Sequence, residues 1–285
     1  MTGLPTPLVS TGWLADNLSA VKIIDASWRM PGGGVARDDY EKRHIPGAVF
    51  FDIDAIADTS TDLPHMLPSP EAFARAVGAM GIGEKNAIVV YDDQGIFSAP
   101  RVWWTLRVMG HERVAVVDGG LKKWLAEKRA VASAETRIEP ARYEPALQSA
   151  LVRDSFAVRA VIDNQVCTII DARASDRFLG HAPEPRAGLV SGAMPGAKNT
   201  PFNLLINEDG TMKSPPDLKD AFTAAGVDLS RPVVTTCGSG VTAAVLALAL
   251  ESLGHREWSL YDGSWAEWGK EDNDRNAYPI VVAER

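Results

Sequence analysis

The stretch Val233-Val234-Thr235-Thr236-Cys237-Gly238-Ser239-Gly240-Val241-Thr242 decides how the rest of the chain is read. Val233 to Thr236 is a short, β-branched run of the kind buried on both faces of a parallel sheet. Thr242 to Leu253 carries a helical pattern. Between them, a cysteine is followed by Gly238 and Gly240. Glycine lets the backbone curl until several N–H groups point inward. The helix start adds partial positive charge. Both favour an anion, so the thiolate form of Cys237 is stabilised there. The thiolate is the form that attacks sulfur and other soft electrophiles. A lone cysteine in a strand is most often a small buried residue. The glycine-bracketed loop argues against that for Cys237, whereas Cys167, in the strand run ahead of Ile169, reads as core.

Outward from this loop, the same alternation recurs. Val21 to Ile24, Ala87 to Tyr91 and Val114 to Val117 read as strands, matched later by Thr168 to Ile170 and Trp258 to Tyr261. Helical patterns cover Pro70 to Met80, Ala99 to Met109 and Pro216 to Ala225. Strand–helix alternation predicts an α/β fold with open parallel sheets and helices on both faces, whose ligands sit beyond the carboxyl ends of the strands.

The chain also repeats itself. Ile23-Ile24-Asp25-Ala26 returns as Ile169-Ile170-Asp171-Ala172, an offset of 171 − 25 = 146. Pro46-Gly47-Ala48 returns as Pro195-Gly196-Ala197, and Val117-Asp118-Gly119-Gly120 with Trp124 as Tyr261-Asp262-Gly263-Ser264 with Trp268. Colinear blocks predict two homologous domains, residues 1–140 and 151–285, joined by an exposed linker between Glu135 and Ala150. With an offset of 237 − 92 = 145, Asp92 stands opposite Cys237. The first domain is therefore expected to be a non-catalytic copy that still supplies walls to a cleft.

Of the chain's 285 residues, 37 are acidic and 29 are lysine or arginine. A net charge of −8 argues against a nucleic-acid or anionic-membrane surface. The apolar run from Val241 to Leu250 is too short to span a bilayer. Met1 to Asp16 shows no leader pattern. Two cysteines in such a chain suit a reducing compartment, and a cytoplasmic location is expected. The five histidines, His44, His65, His111, His181 and His255, lack zinc-type spacing, so no metal is expected. A cysteine-dependent phosphatase would need an arginine where Ala243 stands. A P-loop would need a lysine just before Thr242.

The doubled domain, the Cys237-Gly238-Ser239-Gly240-Val241-Thr242 loop and Tyr261-Asp262-Gly263-Ser264-Trp265 resemble the rhodanese superfamily, and within it the sulfurtransferases that use 3-mercaptopyruvate. His44-Ile45-Pro46-Gly47-Ala48, Phe50-Phe51-Asp52-Ile53-Asp54, His65-Met66-Leu67-Pro68 and Ser98-Ala99-Pro100-Arg101-Val102-Trp103-Trp104 extend the resemblance over nearly the whole chain. Thiosulfate-preferring relatives carry basic residues in the loop, and the neutral Gly238-Ser239 pair is similar to the mercaptopyruvate type. The resemblance implies a persulfide on Cys237, with Arg177 and Arg186 gripping the donor carboxylate. It implies binding by the Gly238, Gly240, Val241 and Thr242 backbone, and a relay of Asp54, His65 and Ser239. It implies a small mercapto-acid donor, a thiol, thioredoxin or cyanide acceptor, and no cofactor. Two other readings stand beside it: a thiosulfate sulfurtransferase, and a non-enzymatic sulfur-binding or redox-sensing module. One motif departs from the family pattern: Ala193-Met194-Pro195-Gly196 has no counterpart to His44, which puts packing at the second turn in question.

Overall fold

The computed structural model describes residues 3–30, 32–133 and 135–283; Met1 and Thr2, the start of the stretch read for a leader, lie outside it. The chain divides into two compact units. The first comprises Met1–Thr59, Leu67–Gln148 and Ile206–Met212. The second comprises Ser60–Met66, Ser149–Leu205 and Lys213–Arg285. The sequence suggests one cut; the compact units instead exchange two short segments. Ile206–Met212 is tied into the first unit by Met212 N, which donates to Asp118 Oδ1 at 2.7 Å. Ser60–Met66 belongs to the second unit, where Asp62 meets Lys270 at 3.4 Å.

The first unit holds strands β1 (Leu8–Val9), β2 (Lys22–Asp25), β3 (Ala48–Phe50), β4 (Ile88–Tyr91) and β5 (Val114–Val117). The second holds β6 (Val152–Arg153), β7 (Thr168–Asp171), β8 (Lys198–Asn199), β9 (Val233–Thr236) and β10 (Trp258–Tyr261). Their orders, β1-β5-β4-β2-β3 and β6-β10-β9-β7-β8, are the same arrangement. Every pairing is parallel. The β-branched runs are central because both faces are covered: all residues of β4, β5, β9 and β10 are buried. The four helical patterns fold as helices Pro70–Ala79, Ala99–Val108, Pro215–Ala224 and Ala243–Ser252. Ser69 and Ser214 cap two of them, each accepting from a backbone N–H three residues on and followed by proline in the first turn.

Each sheet has its own core. Leu14, Ile23, Val89, Tyr91 and Trp124 pack in the first unit. Ile169, Val234, Tyr261, Trp265 and Trp268 pack in the second. The apolar run that begins at Val241 becomes the helix Ala243–Ser252, buried from Ala243 to Glu251 and packed on β9 and β10. Among the described residues no helix is long and apolar enough to cross a membrane.

Two expectations need correction. Cys167 is half-buried just ahead of β7, not inside the core, because β7 begins only at Thr168. The stretch from Glu135 to Ala150 is mostly exposed, but it is laid along the first unit. Ala141 N donates to Gly78 O at 2.9 Å, Ala146 N to Met109 O at 3.0 Å and Gln148 N to Val108 O at 2.7 Å. Tyr143 anchors it. Its ring is buried, stacked on His111 at 5.9 Å and edge-on to Phe73 at 5.5 Å. A single aromatic in a polar stretch gives no period to read. We expect Tyr143→Ala to cost about 3 kcal/mol of stability. An unchanged unfolding midpoint in denaturant would show that the anchor contributes nothing.

Candidate active site

β9 and β7 are neighbours at the point where the strand order turns back, and their carboxyl ends release the loops that form the site. Cys237 follows Thr236, the last residue of β9, which pairs with Asp171, the last of β7. The Cys237 carbonyl accepts from Trp265 N and the Gly238 carbonyl from Ala266 N, both at 2.9 Å. Cys237 N donates to Ser264 Oγ at 3.3 Å, and that hydroxyl donates to Tyr261 O at 2.8 Å. The start of the helix Ser264–Trp268 therefore holds the loop by its carbonyls.

The first unit shows where the N–H groups of such a loop point. There Asp92 takes the place of Cys237, and Leu121 N grips its carbonyl at 2.9 Å. Asp92 Oδ1 accepts from Gln94 N and Gly95 N at 3.0 Å. Its Oδ2 accepts from Phe97 N, Ser98 N and Ala99 N at 2.8 to 2.9 Å. The loop is thus a cradle of N–H groups closed on its own carboxylate. Burial pushes the Asp92 carboxyl up, with the N–H groups of Ala99, Phe97 and Gln94 pulling it down. The register places Ser239, Gly240, Thr242, Ala243 and Ala244 at the matching positions around Cys237. Gly95 and Gly240 both take a positive φ, 124° and 79°, which L side chains rarely adopt.

Cys237 is only 2% exposed, more recessed than a nucleophile open to a cleft. Its neighbours Gly238 and Thr242 are half-buried and form the rim. Both expected arginines stand on that rim. A Cβ added to Gly238 would meet Arg177 Nη2 at 3.1 Å and Arg186 Nη1 at 3.9 Å. Arg177 comes from the short helix Ser175–Phe178 after β7, and Arg186 from the turn that follows.

The residues that fix this arrangement were not singled out by sequence. Arg173 donates through Nε to both Asp171 oxygens at 3.1 and 2.9 Å, and through Nη2 to Asp171 Oδ2 and Gly192 O at 2.7 Å. Its guanidinium lies 3.9 Å from the centroid of the Trp265 ring. Its Nη1 donates to Glu184 Oε1 at 2.7 Å. Glu184 Oε2 accepts from Arg177 Nε at 3.2 Å and from Arg177 Nη2. Burial works against the Arg173 charge, but Asp171 and Glu184 outweigh it and raise its pKa. Asp171 lies in the repeated Ile-Ile-Asp-Ala block, so its presence was visible; the pairing needed three dimensions.

The first unit lacks this chain of charges. Ser27 stands where Arg173 does, so Asp25, the counterpart of Asp171, has Ser27 N at 2.9 Å instead of a guanidinium. Burial raises the Asp25 pKa to about 6. Arg29 is claimed by Asp93, at the Gly238 position, with Nη1 to Oδ1 at 3.0 Å, and by Asp39 at 2.9 Å.

The relay residues are distributed over both units. His65 and Ser239 belong to the second unit, buried at 8% and 6% exposure. His65 holds a φ of 62°. Asp54 belongs to the first unit, where its Oδ2 accepts from Trp28 Nε1 at 3.0 Å. The missing second histidine costs the fold little. His44 and Ala193 are both buried, and each makes an antiparallel bridge, to Ala132 and to Val281.

The family model for the rhodanese-like domain matches residues 10–127 and again 157–271. The 3-mercaptopyruvate sulfurtransferase of Homo sapiens is 42% identical over 270 residues, covering 92% of this chain and 91% of that protein. The thiosulfate sulfurtransferase of Bos taurus is 44% identical over 270 residues, with the same coverage of 92% and 91%. The crystal structure of SseA from Escherichia coli, described as a 3-mercaptopyruvate sulfotransferase, matches with a TM-score of 0.84 and 38% identity over 92% of this chain and 99% of that one. The chain belongs to the rhodanese family. Within that family it is a sulfur-transferring enzyme. Relatives with either donor are about equally similar, so the site itself has to decide the donor.

Two outcomes follow from the comparison of the units. Gly238→Asp should let the new carboxylate capture Arg177 as Asp93 captures Arg29. We expect kcat/KM for an anionic donor to fall about a hundredfold with the fold intact; an unchanged value would remove Arg177 from the site. Asp25 in the unfolded chain loses its proton near 3.8, whereas folded Asp25 holds it to about 6. Stability from this group is present below the lower value and lost as pH rises to the upper one. Asp25→Asn should therefore raise the unfolding free energy at neutral pH by about 3 kcal/mol, with the gain vanishing in acid. Denaturant titrations across pH read it directly.

Proposed function

We propose that this sulfurtransferase takes sulfur from 3-mercaptopyruvate through a persulfide on Cys237 and releases pyruvate. The observation that carries the reading is the pair of guanidiniums on the rim of a neutral cysteine loop, at 3.1 and 3.9 Å from the Cβ that Gly238 lacks. A keto-acid presents a carboxylate and an adjacent carbonyl, and two planar forks suit such oxygens.

In this reading, the Cys237 thiolate attacks the donor sulfur. A sulfur–sulfur bond forms, the donor carbon–sulfur bond breaks, and its electron pair leaves on carbon as the enolate of pyruvate. The enolate then takes a proton. The loop N–H groups and the Ser239 hydroxyl stabilise the developing charge. His65, in the same unit as Ser239, takes the part of the relay that orients that hydroxyl. A buried histidine held at positive φ supports that role, since such conformations persist where the surroundings impose them. The outer sulfur passes to a thiol, thioredoxin or cyanide, which restores the thiolate. The few cysteines suit a reducing compartment, and a cytoplasmic location completes the proposal.

The non-enzymatic reading gives way because the relatives are enzymes. Thiosulfate remains the competing donor, and steady-state kinetics separate the two. We expect kcat/KM for 3-mercaptopyruvate to exceed that for thiosulfate by at least about tenfold. Cys237→Ser should abolish transfer from either donor while the circular dichroism spectrum is unchanged. A thiosulfate preference overturns the donor assignment, and turnover without Cys237 overturns the persulfide.

A further inference from the structure

Glu184 is a charged group sealed beside the site, with a side chain only 1% exposed. Its oxygens join Arg173 to Arg177. Arg173 already has a carboxylate of its own, since Asp171 accepts from both Nε and Nη2. The charge that Glu184 offsets is therefore that of Arg177. At Gly238 stand the guanidiniums of Arg177 and Arg186, and Glu184 is the carboxylate on Arg177. A dianionic donor feels any change in that charge about twice as strongly as a monoanion.

The first unit marks the other end of the same scale. There Arg29, beside the loop, is met by two carboxylates, Asp93 and Asp39. In the second unit glycine stands at the Asp93 position, and Glu184 is the carboxylate on Arg177. The number of carboxylates on this arginine sets how much positive charge is left for a ligand.

Resting on the donor reading above, we infer that Glu184 is a specificity-determining residue: by neutralising Arg177 it matches the Cys237 loop to a singly charged mercapto-acid and against a dianion such as thiosulfate. Glu184 touches no reacting atom. It acts by positioning Arg177 and by setting the charge around it. Its effect is thus on the ratio of donors, which a purely structural residue would leave unmoved.

The test compares kcat/KM for 3-mercaptopyruvate and for thiosulfate, with cyanide as acceptor, in the full chain and its variants. Glu184→Gln should move the ratio toward thiosulfate by about tenfold or more. Glu184→Asp, which keeps the charge, should lower both values without moving the ratio. Ala187→Lys adds a cation at an exposed position next to Arg186, so it raises the local charge without disturbing a buried group. It should move the ratio in the same direction as Glu184→Gln, and it decides the question if that variant fails to fold. A ratio unmoved by either added charge, or moved as far by Glu184→Asp as by Glu184→Gln, overturns the inference. If the unmodified enzyme turns over neither donor, the failure lies instead in the reading on which the inference rests.

Discussion

Two backbone hydrogen bonds carry the site: Trp265 N to Cys237 O and Ala266 N to Gly238 O. They fix the loop by its carbonyls, from the start of the next helix but one. A loop held this way has its N–H groups committed to the opposite side. That is why the arrangement survives in the first unit, where Leu121 N makes the same bond to Asp92 O. The cradle is a property of the backbone and of the sheet beneath it. What occupies it, a carboxylate or a sulfur, is decided by one side chain. Burying an anion is costly unless it is met by donors. The fold supplies those donors before any substrate arrives.

Much of this was legible in the sequence, and the reason is local. β4, β5, β9 and β10 are buried on both faces, so their β-branched runs stand out without alternation. The cysteine loop was readable because glycines and a helix start act on their own neighbours. Arg177 and Arg186 came from resemblance, and both lie at the loop. Three features escaped. Asp171 at the end of β7, Arg173 and Glu184 in the loop after it form a chain of charges, and nothing in their spacing announces the pairing. Tyr143 holds a polar strap through a single ring, which leaves no period. The exchange of Ser60–Met66 and Ile206–Met212 between units is a matter of packing, and composition does not register it.

Cys237 is also more recessed than its loop suggested. In the proposed mechanism, a sulfur that stores a second sulfur gains from this, because a recessed persulfide is shielded from thiols that cannot reach past the rim. The rim is polar on the arginine side and has no side chain at Gly238. Reach and charge are therefore selected at the same place, ahead of the reacting atom.

The buried ion chain marks the difference between the two units. Asp171, Arg173 and Glu184 are each charged and each almost sealed, and taking one partner from such a set leaves another uncompensated, at a cost of about 3 to 5 kcal/mol. The first unit has Ser27 in place of the arginine beside the corresponding acid, and Asp25 meets that cost by holding its proton to a higher pH. It has Asp93 at the Gly238 position, which closes Arg29. In the second unit the charges stand as a set, each sealed side chain depending on its partners.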